Sequence, residues 1–203
     1  MRNPLDFIRY GVALLVLASH LPSLFLWLAI HPFSAFWRKI GPVWTYVILG
    51  IPVIAYIAGI WIFRKYLLGA DLGANAFTMV LAGISVTGAF LLKRQIIKLL
   101  NFRKLSGFPE LSKTSYPGEL LTGGIYGVIR NPRYIEALLW VLGYSFFANY
   151  SGPYLTWLIS LPIMCFVVVL EERELRERFG EAYSEYCRQV PRFMPKPRGW
   201  GKK

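Results

Sequence analysis

Several stretches of this chain are apolar for long enough to leave water, and that removes most folds from consideration. A helix that crosses a bilayer needs ~20 mostly apolar residues, because lipid offers no partner to an open backbone N–H or C=O. Tyr10–Ile30, Val43–Phe63 and Ala74–Leu92 meet that demand in turn. Two shorter runs, Tyr134–Ala148 and Tyr154–Leu170, flank Asn149-Tyr150-Ser151-Gly152-Pro153. That segment is a dense turn signal, so the two runs are expected to form a tight helical hairpin. Charged residues are only 17% of the 203 and hydrophobic ones 55%, where a soluble domain carries about 25% charged. The expected fold is an all-α integral membrane bundle of about five transmembrane helices, followed by a C-terminal cytoplasmic amphipathic helix. One domain over 1–203 is expected, with three spans in 1–100 and the hairpin and tail in 101–203.

The net charge of +12 allows a nucleic acid, an anionic lipid surface or an acidic substrate as partner. A nucleic-acid role needs a soluble basic module with its own core, and the chain has no such segment, so membrane lipid is the expected neighbour. Lys and Arg are also unevenly spread. Two lie at 38–39, eight between 93 and 133 and nine after Leu170, against Arg2, Arg9, Arg64 and Lys65 on the other side. The positive-inside rule then places the third loop and the tail in the cytoplasm and the N-terminus opposite. The first apolar run is too long for the core of a cleavable signal and reads as a retained helix.

The third connection, 101–124, mixes Gly, Pro, Ser and Lys and is too long for a simple turn. After the fifth span, residues 171–189 carry Leu175, Phe179, Tyr183 and Tyr186 at helical spacing. They read as an amphipathic helix continuing from that span, ended by Pro191 and Pro195. Cys165 sits in an apolar run and reads as a small core residue; Cys187 reads as an ordinary thiol. His20 has no His, Cys or carboxylate at a metal-binding spacing and reads as a helix-packing residue, so no metal is expected.

Polar residues gather at one end of the hairpin. Gly124-Ile125-Tyr126-Gly127 and Arg130-Asn131-Pro132-Arg133-Tyr134 precede it, with Glu136 just inside. Glu171-Glu172, then Phe179-Gly180, Tyr183, Tyr186 and Val190-Pro191-Arg192-Phe193, follow it. A hairpin brings the two groups together, and ionisable groups at membrane depth mark a site by default. The plainer alternative is that Glu171, Glu172 and Glu174 pair with Arg173, Arg176 and Arg178 on a solvated helix face, and that Arg130 and Arg133 are interfacial anchors. The residues alone give a membrane bundle with one cytoplasmic polar site and leave its reaction open.

These motifs, in this order around one hairpin, resemble the isoprenylcysteine carboxyl methyltransferase and phospholipid methyltransferase family. The resemblance covers Gly123 to Pro195; the first three spans match only in hydropathy. It implies an enzyme that moves a methyl group from S-adenosylmethionine to a lipophilic acceptor arriving from the bilayer. By position it implies cofactor binding by Tyr126, Arg130, Asn131, Pro132 and Tyr134 on one wall, Glu171 and Glu172 on the other, and Tyr183, Tyr186 and Arg192 closing the pocket. Gly83–Gly88 is a weaker match, where small residues let a cofactor approach the backbone. The candidate catalytic residues are Arg130, Glu136 and Glu172.

The chemistry suits such a ligand. Carboxylates suit its ammonium and hydroxyls, arginine its carboxylate, and aromatic faces its adenine and sulfonium. A carboxylate or thiolate acceptor needs no general base; an amine or phenol needs one, and Glu136 and Glu172 are the candidates. Two residues depart from the family pattern. Asn131 stands where many members carry His, and Glu136 stands where a small residue is expected. An acid at that place favours a neutral or cationic acceptor. Two other classes stay open: an NADPH-dependent sterol or steroid reductase, whose tail shares the Tyr-Cys and Val-Pro pairs seen at 186–187 and 190–191, and a non-catalytic small transporter or adaptor.

Overall fold

The computed structural model describes residues 3–99 and 119–195. Among them seven α-helices follow one another: α1 Pro4–Ile30, α2 Ser34–Ile40, α3 Pro42–Leu68, α4 Ala76–Ile97, α5 Pro132–Ala148, α6 Ser151–Phe179 and α7 Glu181–Gln189. Short 3-10 turns occupy His31–Phe33 and Gly124–Gly127. Arg2, most of the long third connection and the tail beyond Pro195 lie outside the described residues.

The expected spans are present, and most run longer than their apolar cores. α1, α3, α4 and α6 are each long and apolar enough to cross a membrane. α5 has 17 residues, about 25 Å at 1.5 Å per residue, so it falls just short of a ~30 Å hydrocarbon core. Pro132 starts it where a missing N–H costs nothing. Asn149 ends it with φ 52°, a left-handed cap that asparagine tolerates. The surface is apolar in the manner of a helix bathed in lipid: Ile51, Ile54, Trp61 and Ile62 of α3 are all exposed. This is an all-α integral membrane bundle.

Three details depart from expectation. α2 forms inside the first loop, where Trp37 folds back and its indole N–H donates to the Ala29 carbonyl at 2.8 Å. The tail is not one continued helix. α6 runs on to Phe179, and Gly180, at φ 58° and ψ −128°, turns the chain into α7. Cys165 is exposed rather than a core residue, because it lies on the outward face of α6.

The end of the bundle away from the polar motifs is locked by backbone. The α3–α4 connection pairs with the hairpin turn through Leu72 N–H to Asn149 O and Ser151 N–H to Ala70 O, both 3.0 Å. Arg9 of α1, 1% exposed, plugs the junction. Its Nη2 donates to Asp71 Oδ1 at 2.5 Å, its Nη1 to Asp6 Oδ1 at 3.2 Å and its Nε to the Ala148 carbonyl at 3.1 Å. Gly152 is obligatory at this junction, since a Cβ there would lie 2.0 Å from the Leu67 carbonyl oxygen.

α4 and α5 form the most extensive helix pair. They close on Gly143, whose added Cβ would meet Val86 Cγ2 at 2.8 Å and the Ala82 carbonyl at 3.3 Å. Small residues of this kind let membrane helices approach. At the other end, Tyr183, Tyr186 and Val190 pack with Leu120, Leu175 and Phe179, folding α7 back onto the foot of α6.

Candidate active site

The site is built where the segment before α5 meets the segment after α7. Two backbone bonds splice them: Arg130 N–H to Pro191 O at 2.9 Å and Asn131 N–H to Arg192 O at 3.2 Å. That splice fixes the side chains of Arg130, Asn131 and Arg192 around one carboxylate of α6, Glu172, which is 1% exposed. Its Oε1 accepts from Arg130 Nη2, Asn131 Nδ2 and Arg192 Nε, each at 3.1 Å. Its Oε2 accepts from Arg192 Nη2 at 2.7 Å. Burial pushes the Glu172 carboxyl up, but the Arg192 hydrogen bond, the Arg130 charge and the Asn131 hydrogen bond outweigh it and hold it below its ordinary 4.5. Glu172 is therefore an ionised anion shared by two guanidinium groups.

Arg130 is equally committed. Besides Glu172, its Nη1 donates to the Cys187 carbonyl at 2.8 Å and the Val190 carbonyl at 3.2 Å. Its Nε is buried and has no partner among the described residues. An orphaned buried donor of this kind is uncommon and needs an explanation.

A second cluster adjoins the first. The Tyr134 hydroxyl donates to Glu171 Oε2. Burial pushes the Tyr126 phenol up to about 12, with Arg133 opposing and Glu171 and Glu136 adding to the shift. Tyr126 thus shares its field with both carboxylates. Its ring packs on Ile96 and Leu99 at the foot of α4. Glu136, 7% exposed, turns toward α4: Trp140 Nε1 donates to its Oε1 at 2.7 Å, and Lys93 Nζ lies 3.5 Å from the same oxygen. Arg133 lies over the Trp27 ring, 4.9 Å from its centroid.

The residues singled out in the sequence therefore fall into distinct places. Arg130, Asn131, Glu172 and Arg192 converge on one point, and Pro132 is buried as the start of α5. Tyr126, Tyr134 and Glu171 line up beside them. Tyr183 and Tyr186 lie in the packing that holds α7: Tyr183 is 2% exposed, and the Tyr186 hydroxyl donates to the Tyr126 carbonyl at 2.6 Å. Burial is the main cause pushing both phenols up. Glu136 stands apart from Glu172, on the α4 side. Gly83 faces open space, and a Cβ on Gly88 would touch Leu139 at 3.5 Å. Lys93 and Trp140 were not anticipated; their spacing to Glu136 is a helix turn for Trp140 but crosses helices for Lys93.

The local-pairing alternative applies elsewhere on α6. Arg173 pairs with Glu177 at 3.1 Å with both side chains mostly exposed. Arg173→Ala is expected to change stability by less than about 0.5 kcal/mol in a detergent melt.

Comparison with known proteins identifies the family. The family described as phospholipid methyltransferase matches residues 77–182, just over half of the chain. Delta(14)-sterol reductase TM7SF2 of Mus musculus is 26% identical over 120 residues, 55% of this chain and 29% of that protein. Protein-S-isoprenylcysteine O-methyltransferase of Schizosaccharomyces pombe is 31% identical over 85 residues, 41% of this chain and 36% of that protein. Delta(14)-sterol reductase LBR of Gallus gallus is 30% identical over 100 residues, 45% of this chain and 15% of that protein. The matched regions thus span about a third or less of each of these relatives. No solved structure matches. With the family match running from α4 through the hairpin to Glu171, Glu172 and the start of α7, the chain belongs to the phospholipid methyltransferase family.

Proposed function

We propose that this protein is a membrane methyltransferase that uses S-adenosylmethionine at the Arg130–Glu172 site and acts on a lipophilic acceptor from the bilayer. Family membership supports the reaction class. The observation that carries the placement is the orphaned Nε of Arg130, buried beside a fully paired Glu172. A carboxylate from a ligand would satisfy that donor. Glu171 Oε1 has no partner among the described residues and suits an ammonium or a ribose hydroxyl. Tyr126 and Tyr134 present aromatic surface next to it, which suits adenine or a sulfonium.

In this reading Glu172 does not touch the reacting atoms. It fixes Arg130, Asn131 and Arg192, and so the wall on which the ligand rests. Bound there, S-adenosylmethionine supplies an electrophilic methyl group. The chain holds the donor and acceptor in line, and such orientation accounts for a large share of the acceleration. The charge asymmetry of the loops supports a cytoplasmic position for this end of the bundle and an N-terminus on the opposite side. The whole of 1–203 works as one unit, with 101–203 holding the cofactor.

The two sterol reductases among the relatives favour a second reading, in which the same end binds NADPH. Calorimetry on the purified full chain separates the two. Saturable binding of S-adenosylhomocysteine with none of NADPH is the expected outcome. The reverse result would move the protein to the reductase reading.

A further inference from the structure

We propose that Lys93 and Trp140 are positioning residues that lock Glu136 through one oxygen, so that its other oxygen serves as the general base of the reaction. The inference rests on the methyltransferase reading above.

The geometry separates the two carboxylates that could take a proton. Glu172 has both oxygens occupied by four donors from two arginines and an asparagine, and it is 1% exposed. Paired with two guanidinium groups and buried, Glu172 is closed to an incoming proton donor. Glu136 differs: both of its donors, Trp140 Nε1 at 2.7 Å and Lys93 Nζ at 3.5 Å, go to Oε1. Oε2 has no partner among the described residues. The side chain is nonetheless only 10% exposed, which confines it to one direction. Trp140 in turn stacks on Tyr144 at 5.5 Å between ring centroids, which holds the indole in place. Glu136 lies early in α5, whose start at Pro132 follows directly on Arg130 and Asn131, so it stands at the same end of the bundle as the Glu172 cluster.

Lys93 changes the argument about the acceptor. With an ammonium at 3.5 Å, Glu136 no longer repels an anionic acceptor by charge. Its discrimination lies in proton transfer instead. An acceptor that must lose a proton, an amine or a hydroxyl, uses Oε2; a carboxylate or thiolate has no use for it. As the acceptor's lone pair forms the new bond to the methyl carbon, its N–H or O–H bond breaks and the proton passes to Glu136 Oε2. The electron pair of the broken carbon–sulfur bond leaves with sulfur.

Two experiments on the full chain in lipid nanodiscs test this. The first needs no cofactor: a hydrophobic carbodiimide should join Lys93 to Glu136 as an isopeptide detectable by mass spectrometry, and leave Glu172 unmodified. The second uses tritiated S-adenosylmethionine with vesicles of total lipid from the source membrane. Label should stay on product through alkaline hydrolysis, since N- and O-alkyl groups survive where a methyl ester releases methanol. Glu136→Gln should lower kcat by ~100-fold or more. Trp140→Phe and Lys93→Met should lower it by about tenfold with the cofactor KM unchanged, and Lys93→Arg should restore it. Alkali-labile label, an unchanged kcat in Glu136→Gln, or carbodiimide modification of Glu172 with Glu136 spared overturns the inference. Failure of the wild type to bind S-adenosylhomocysteine strikes the methyltransferase reading beneath it instead.

Discussion

Replacing Glu172 by alanine is expected to abolish saturable S-adenosylhomocysteine binding and to destabilise the protein by about 3–5 kcal/mol, the usual cost of stranding buried ionic partners. The residue sits under Arg130, Asn131 and Arg192, and its removal leaves Arg130, whose side chain is 9% exposed, without its counter-ion. The splice of Arg130 to Pro191 and Asn131 to Arg192 loses its anchor at the same time. Arg192, 41% exposed, can rehydrate and so loses less. The two readouts are calorimetry and thermal unfolding in one detergent. A Glu172→Ala variant that keeps full ligand affinity would remove the basis for placing the ligand here. Acid should act in the same direction. The Glu172 carboxyl titrates lower in the fold than its ordinary 4.5. Its stabilising contribution is therefore complete above that value and is lost as pH falls through the folded-state pKa.

Gly152→Ala is expected to cost about 3 kcal/mol, at the upper end of ordinary overpacking. The new methyl would sit 2.0 Å from the Leu67 carbonyl oxygen and 2.9 Å from that of Leu68. Both are backbone atoms at the end of α3 and cannot swing aside as a side chain does. Gly11→Ala is the control, because nothing lies within 4 Å of its added Cβ, and it should stay within about 1 kcal/mol of wild type. Equal melting of the two variants would mean that the α3–α6 junction is looser than its geometry implies.

The sequence makes the spans legible because lipid selects on length and polarity, both of which are local properties. It also brings the right motifs together, since a short turn at 149–153 leaves two helices no choice but to run side by side. What it hides is partner choice. Glu172 has Arg173 and Arg176 close by in sequence, yet it pairs with Arg130 and Arg192, 42 and 20 positions away. Hydropathy cannot show that Glu172 faces inward while Arg173, one residue on, faces out. Gly152 and Gly143 look like ordinary small residues until a neighbouring backbone or side chain is placed against them. α2 is hidden for a different reason: at seven residues, with aromatic and basic residues mixed, it has no periodicity to detect. The resemblance implies that Tyr183 and Tyr186 close the pocket; what the sequence does not show is that they also form the packing that holds α7 down.

The plug at Arg9 has a consequence for the order in which the molecule can be completed. Asp6 is beside it from the start, but its other two hydrogen-bonded partners are Asp71, 62 positions later, and the Ala148 carbonyl, 139 positions later. Chains emerge from the ribosome N-terminus first. Arg9 therefore waits through the synthesis of α3, α4 and α5 before its last partner exists. The helix that carries Arg9 is sealed only after α3, α4 and α5 have followed it, so a nascent chain stopped before α5 carries an arginine that has not yet lost its need for water.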